Sequence, residues 1–161
     1  MTSEADELAA AFEAANDEVI SFVETCPDGR WSAMVSGEDW SVAVVAHHIA
    51  VGHLQMLDWV GRASRGEAIE KTGAEIDADN VRHAQDFAGV TRAETVEALR
   101  RHGDALGQFM RRLSTDELAT SVPFGPGGGM AVTTEQLASV AARHCRTHLD
   151  GAQAAVESGI T

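Results

Sequence analysis

The chain has 161 residues and a formal net charge of −13, because 25 acidic residues stand against 12 basic ones. This length predicts a single domain, residues 1–161, whose core needs no disulfide. The acidic balance opposes phosphate backbones and anionic lipids, so neither nucleic acid nor a membrane is expected as a partner. The two cysteines form no CxxC motif and the N-terminus lacks the pattern of a signal peptide. A reduced cytoplasm is therefore the expected compartment.

The first half of the chain predicts two long helices. Apolar residues at spacings of three and four predict a helix from about Glu4 to Thr25, which ends before Pro27. Ser41 is the expected N-cap of a second helix, Val42 to about Arg65. This stretch is the most apolar in the chain, but the histidines and Asp58 within it exclude a lipid-exposed span. We expect a buried helix.

The second half predicts two further long helices. A polar, glycine-containing loop is expected over residues 63–80, followed by a short helix around Asn80 to Phe87. Capping boxes open the third long helix (Thr91 to about Leu113) and the last one (Thr133 to about Glu157). Between them, the segments SVPF and MAVT could pair as a short hairpin across a glycine run. These patterns predict an all-α fold, a four-helix bundle with a short extra helix in a connection.

The stretch AARHCRTHLDGAQAAV places His144 and His148 four residues apart on the last predicted helix. Successive helical residues turn by about 100°, so residues four apart share a face and both imidazoles can reach one point. Zinc proteases with HExxH use this spacing, but no glutamate stands between the two histidines here, which excludes that class. A lone HxxxH pair is more often surface or satisfied core than a metal site. A third ligand is needed.

The second predicted helix offers three candidates for that ligand: His47, His48 and His53. His47 lies about 100° around the helix from His48, and His53 about 140°, so only one of the three is expected to face a given site. Periodicity does not choose between His47 and His48, and each could instead be a half-buried histidine bonded to a carbonyl. His83 and His102 lie in polar surroundings and are expected to face solvent.

The stretch GEDWSVAVVAHHIAVGH carries a Trp-Ser-Val segment that leads into a helix, with His48 eight residues after Trp40. In this it resembles the DinB-like (YfiT-like) superfamily of metalloenzymes, which closes with a helix bearing HxxxH, the place of His144 and His148. Helix order and length agree over most of the chain. The resemblance implies a metal site of His48, His144 and His148. Three neutral imidazoles suit Zn²⁺, Ni²⁺, Fe²⁺ or Mn²⁺ and leave positions open for water or substrate.

The resemblance also extends to the N-terminal domain of mycothiol-dependent maleylpyruvate isomerases and to bacillithiol transferases. It implies a metal-dependent thiol transferase, in which a low-molecular-weight thiol is the second cofactor and attacks a small electrophilic substrate. The isomerases carry Glu at the place of His144 and a long C-terminal extension. These departures argue against the isomerase reaction itself.

Two alternatives stay open beside thiol transfer. One is a metal-dependent hydrolase at the same site. The other is a non-catalytic helical bundle, a binding or stress-response module with a structural metal or none. A structural site would be closed by a fourth protein ligand such as His47, His53 or Cys145, although Cys145 is more typical of a small buried hydrophobe. A homodimer formed through helix packing is common in the family and is expected here.

Overall fold

The computed structural model describes residues 1–159, so the last two residues of the predicted domain lie outside the described range. Within it, six α-helices and one small hairpin follow one another along the chain. They are α1 (Glu4–Thr25), α2 (Val42–Ser64), α3 (Gly73–Asp86), α4 (Arg92–Met110), α5 (Thr115–Ala119), β1 (Ser121–Phe124), β2 (Met130–Thr133) and α6 (Thr134–Glu157).

The four long helices α1, α2, α4 and α6 form the predicted four-helix bundle. Helix α2 packs mainly on α4 and α6, and α1 packs on the same two helices. The consecutive helices α1 and α2 therefore lie at diagonal corners of the bundle. This arrangement makes α2 and α6 neighbours, although residues 65–133 separate them in sequence.

Side-chain caps define where the helices begin. Ser41, Thr91 and Thr133 each accept a hydrogen bond from the backbone N–H three residues later, as the sequence predicts. Thr72 and Ser114 cap α3 and α5 in the same way, and Glu75 completes a capping box at α3. Such caps satisfy backbone donors that a helix leaves unpaired in its first turn.

Three boundaries differ from the prediction. The loop expected over residues 63–80 ends early, because the Thr72 capping box starts α3 at Gly73 and not near Asn80. Helix α4 ends at Met110, three residues before the predicted end. The single turn of α5 was not predicted, since five residues are too few to show a helical period. The expected hairpin is present, with Ser121 opposite Thr133.

The core fills the space between the four long helices. Its largest fully buried side chains include Phe12, Ile49, Leu99, Leu106 and Leu137. A second apolar cluster holds the connection before α2 against the C-terminal half of α6. None of the helices within residues 1–159 is long and apolar enough to cross a membrane.

Candidate metal centre

Three histidines meet where α2 packs on α6. Helix α2 contributes His48, and one face of α6 contributes His144 and His148. One ring nitrogen from each lies within 4.8 Å of those of the other two. The Nε2 atoms of His48 and His144 are 3.3 Å apart. The structure thus brings together the three residues that the family resemblance singles out.

The ring of His144 lies in a cradle left by Gly52, one turn after His48 on α2. A Cβ at residue 52 would stand 2.5 Å from Cε1 and 3.0 Å from Nδ1 of His144. Non-bonded carbon atoms prefer a separation of about 3.5–4.0 Å. Only glycine therefore leaves the imidazole this close to the backbone of α2.

Burial keeps two of the three rings neutral. It lowers the pKa of His48 to about 3, with a further contribution from His144 and His148. It likewise lowers the pKa of His144 to about 4, with a contribution from His148. A neutral imidazole carries the lone pair that binds a metal ion.

These features fit a divalent transition metal. Two nitrogens that each lie about 2.0–2.1 Å from a tetrahedral ion are about 3.3 Å apart. The observed separation of the His48 and His144 Nε2 atoms is 3.3 Å. The same separation also allows one ring N–H to donate to the other ring. The donor set and the Gly52 cradle thus fit an ion held by three imidazoles.

The residues considered as a fourth ligand lie elsewhere. Nδ1 of His47 is 2.9 Å from Nε2 of His83, and Nε2 of His53 is 2.8 Å from Oδ1 of Asn16. The Cys145 thiol is buried in the core, and burial raises its pKa to about 12. As the sequence indicates, one of the three α2 histidines faces the cluster, and it is His48.

Two histidines expected to face solvent do not. His83 is 9% exposed and stacks on Phe87 beside His47. His102 is half-buried, and its Nδ1 lies 2.9 Å from the Ala50 carbonyl oxygen, so the ring N–H donates to that oxygen. Their polar sequence neighbours misled the prediction, because the residues beside them in a helix point in other directions.

Among the residues that border the site and are not predicted there are Asn80 on α3 and Glu38 in the connection before α2. A signal for α3 exists in the sequence, since Ile76, Asn80, His83 and Phe87 recur at spacings of four, three and four. Helical or strand periodicity gives no signal for Glu38, because this residue lies in a turn.

His48 borders two cavities. The larger, about 320 Å³, is also lined by Gln55, Trp59, Lys71, Asn80 and His83. The smaller, about 290 Å³, is also lined by Glu38, Asp39, Trp40, Asn80 and His148. Space for a small molecule therefore lies directly beside the histidine cluster.

The chain belongs to the DinB superfamily, whose family model matches residues 11–150. The matched range contains all three histidines of the cluster and all four long helices in whole or in part.

Among solved structures, the fold is similar to that of YfiT from Bacillus subtilis, described as a probable metal-dependent hydrolase with an unusual four-helix bundle topology. The TM-score is 0.80 at 16% sequence identity, over 98% of this chain and 89% of that chain. At this identity the likeness shows a shared fold. Comparison with curated proteins gives no significant match.

Proposed function

We propose that this protein is a metal-dependent enzyme whose divalent ion is held by His48, His144 and His148. The observation that carries the proposal is the convergence of three ring nitrogens within 4.8 Å beside a cavity of about 320 Å³. Three protein nitrogens with adjoining space are typical of a catalytic metal site, whereas structural sites are closed by a fourth ligand.

The chain's own residues supply the binding geometry. Helix α6 contributes two of the three ligands, His144 and His148, and α2 contributes the third, His48. The space left by Gly52 holds the His144 ring in place. When bound, a divalent transition metal would supply Lewis acidity, which lowers the pKa of a thiol or of water at neutral pH.

The reaction that we propose first is transfer of a low-molecular-weight thiol to a small electrophile. Its support within the chain is that both cysteines, Cys26 and Cys145, are buried, and burial raises the pKa of each thiol. A reactive thiolate is accessible and has a lowered pKa. A thiol nucleophile at this site would therefore come from a bound small molecule.

Hydrolysis at the same site is the second candidate. It is favoured by the similarity to YfiT, which is described as a probable metal-dependent hydrolase. The two reactions differ in one respect that can be measured. A transferase needs the small thiol for turnover, whereas a hydrolase consumes an ester or amide in buffer alone.

The first experiment is the metal content of protein purified without an affinity tag. We expect close to one equivalent of a transition metal in the wild type, and loss of that metal in His48→Ala and in His148→Ala. His102→Gln is the matched control, because His102 lies outside the cluster and bonds the Ala50 carbonyl; it should keep the metal.

Failure of the wild type to take up Zn²⁺, Ni²⁺, Fe²⁺ or Mn²⁺ on titration would overturn the proposal and leave a non-catalytic helical bundle. If the metal is present, electrophiles are screened with and without small thiols. Turnover that depends on the thiol supports the transferase, and turnover without it supports the hydrolase.

A further inference from the structure

A tight turn before α2 brings an acidic residue next to the histidine cluster. The turn is closed by the Val35 N–H donating to the Trp40 carbonyl at 2.9 Å and the Glu38 N–H donating to the Val35 carbonyl at 3.3 Å. Gly37, at φ +81°, supplies the left-handed backbone that the turn requires. Gly151 on α6 lets the turn approach, since a Cβ there would already be 3.3 Å from Val35 Cγ1.

The turn places the Glu38 carboxylate against His148. Glu38 Oε1 lies 3.4 Å from His148 Nδ1, within the range of an ion pair but short of hydrogen-bond geometry. Glu38 Oε2 and His148 Nδ1 are both buried atoms without a hydrogen-bond partner among residues 1–159. One carboxylate oxygen of Glu38 therefore lies near a buried ring nitrogen that has no partner within residues 1–159, and the other carboxylate oxygen is itself buried and unpartnered there.

We propose that Glu38 is a positioning residue that accepts a hydrogen bond from His148 Nδ1–H and thereby directs His148 Nε2 at the metal. A neutral imidazole carries one N–H and one lone pair, so a proton held on Nδ1 by a carboxylate leaves the lone pair on Nε2. That lone pair then matches the Nε2 atoms of His48 and His144, which already face each other. The inference rests on the metal binding put forward under Proposed function.

The physical consequence is a lower cost of binding the ion. Without an acceptor for Nδ1–H, the His148 ring is free to rotate and to exchange its two tautomers, so part of the binding free energy is spent in fixing it. Removal of the carboxylate or carbonyl that orients a metal-binding histidine typically weakens metal affinity by about 10–100-fold. Glu38 borders the same cavity as His48 and His148, so its effect would be local to the cluster.

The test is Zn²⁺ affinity, measured by competition with a coloured chelator. We expect Glu38→Ala to bind Zn²⁺ roughly 10–100-fold more weakly than the wild type. Glu38→Gln should be weakened less, because its amide oxygen still accepts from Nδ1–H. Asp39→Asn is the matched control: Asp39 is the next residue, exposed, and borders the same cavity, and its replacement should leave the affinity unchanged. Thermal midpoints of the four metal-free proteins should agree.

A second measurement reports the tautomer directly. In ¹H–¹⁵N imidazole spectra of the zinc-loaded wild type, we expect His148 to carry its proton on Nδ1, with a weaker or exchange-broadened signal in Glu38→Ala. If the wild type binds Zn²⁺ while Glu38→Ala binds within twofold of it, or if the Nδ1 atom of His148 is unprotonated and holds the ion, the role of Glu38 is overturned and the metal site stands. A wild type that binds no Zn²⁺ overturns both proposals.

Discussion

At the scale of single residues, the His144 ring can occupy its position only because Gly52 has no Cβ atom. The imidazole occupies the space of a Cβ, so any other residue at position 52 displaces the ring. Helix α2 itself would tolerate alanine well, because alanine is favoured over glycine in a helix interior by about 1 kcal/mol. The glycine thus lowers helix propensity and makes room for a ligand.

Gly52→Ala should therefore weaken metal binding roughly tenfold or more, while the metal-free protein keeps its stability. Gly61→Ala is the control on the same helix, since a Cβ there would meet Arg65 Nη1 at 3.5 Å and Phe109 Cζ at 3.7 Å, ordinary contacts. Zn²⁺ affinity by chelator competition and thermal unfolding with chelator separate the two effects. Equal affinity in Gly52→Ala and wild type would show that His144 is not held by this contact.

The sequence predicts some of these residue-scale features and not others. The His144–His148 pair follows from a spacing of four on one helix. The choice of His48 over His47 needs the resemblance to a family, because the apolar periodicity of α2 does not indicate which of the two faces α6. Glu38 depends on a left-handed turn at Gly37 and on the approach of α6 at Gly151, contacts between distant parts of the chain that no local pattern encodes.

At the scale of elements, the glycines that interrupt the apolar pattern of α4 have a packing role. A Cβ at Gly103 would stand 2.3 Å from Nδ2 of Asn16, and one at Gly107 would stand 2.7 Å from Oε1 of Glu13. Helix α4 therefore approaches α1 closely at these two positions. The missing side chains leave room for polar residues of α1 inside the interface.

Asn16 joins three helices through that space. Its Nδ2 donates to the Leu99 carbonyl of α4 at 3.1 Å. Its Oδ1 is 2.8 Å from Nε2 of His53 on α2, and because this oxygen can only accept, His53 carries its proton on Nε2. Both side chains are buried, with Asn16 6% and His53 1% exposed. The α1 residue thus fixes the helix that carries His48.

Asn16→Ala should lower the free energy of unfolding by roughly 1–3 kcal/mol, because it leaves the buried His53 N–H without its acceptor. Asp17→Ala changes the next, exposed residue and should stay within about 0.5 kcal/mol of the wild type. Urea unfolding with chelator present gives both values. If Asn16→Ala matched Asp17→Ala, the buried pair would contribute nothing to stability.

The long elements are predictable where local signals agree, and the short ones are not. The starts of α2, α4 and α6 follow from Ser41, Thr91 and Thr133, since a cap acts within one turn. Helix α3 begins earlier than predicted, because the residues after the Thr72 capping box are mostly polar and so do not suggest a helix there. The diagonal placement of α1 and α2 arises from packing of distant helices, which periodicity along one helix does not specify.

At the scale of the whole molecule, the bundle holds several histidines in a neutral form. Burial lowers the pKa of His47 and His144 to about 4 and that of His48 and His53 to about 3. In the unfolded chain each would have a pKa near the ordinary value of about 6.5. Above that value both states are neutral and the histidines do not affect stability. Below it the unfolded chain takes up protons first, so stability falls as the pH drops toward the folded pKa values.

The metal-free protein should therefore lose stability between pH 7.5 and pH 5.5, by roughly 1 kcal/mol for each of these four histidines. Carboxylates contribute less in this window, because the ordinary pKa values of Asp and Glu, about 3.9 and 4.3, lie below it. The measurement is the urea midpoint with chelator present at the two pH values. The double variant Asn16→Leu/His53→Leu removes one buried histidine together with its partner, so its pH dependence should be smaller than that of the wild type. A midpoint that stays constant from pH 7.5 to pH 5.5 would mean that the buried rings gain protons without unfolding the bundle.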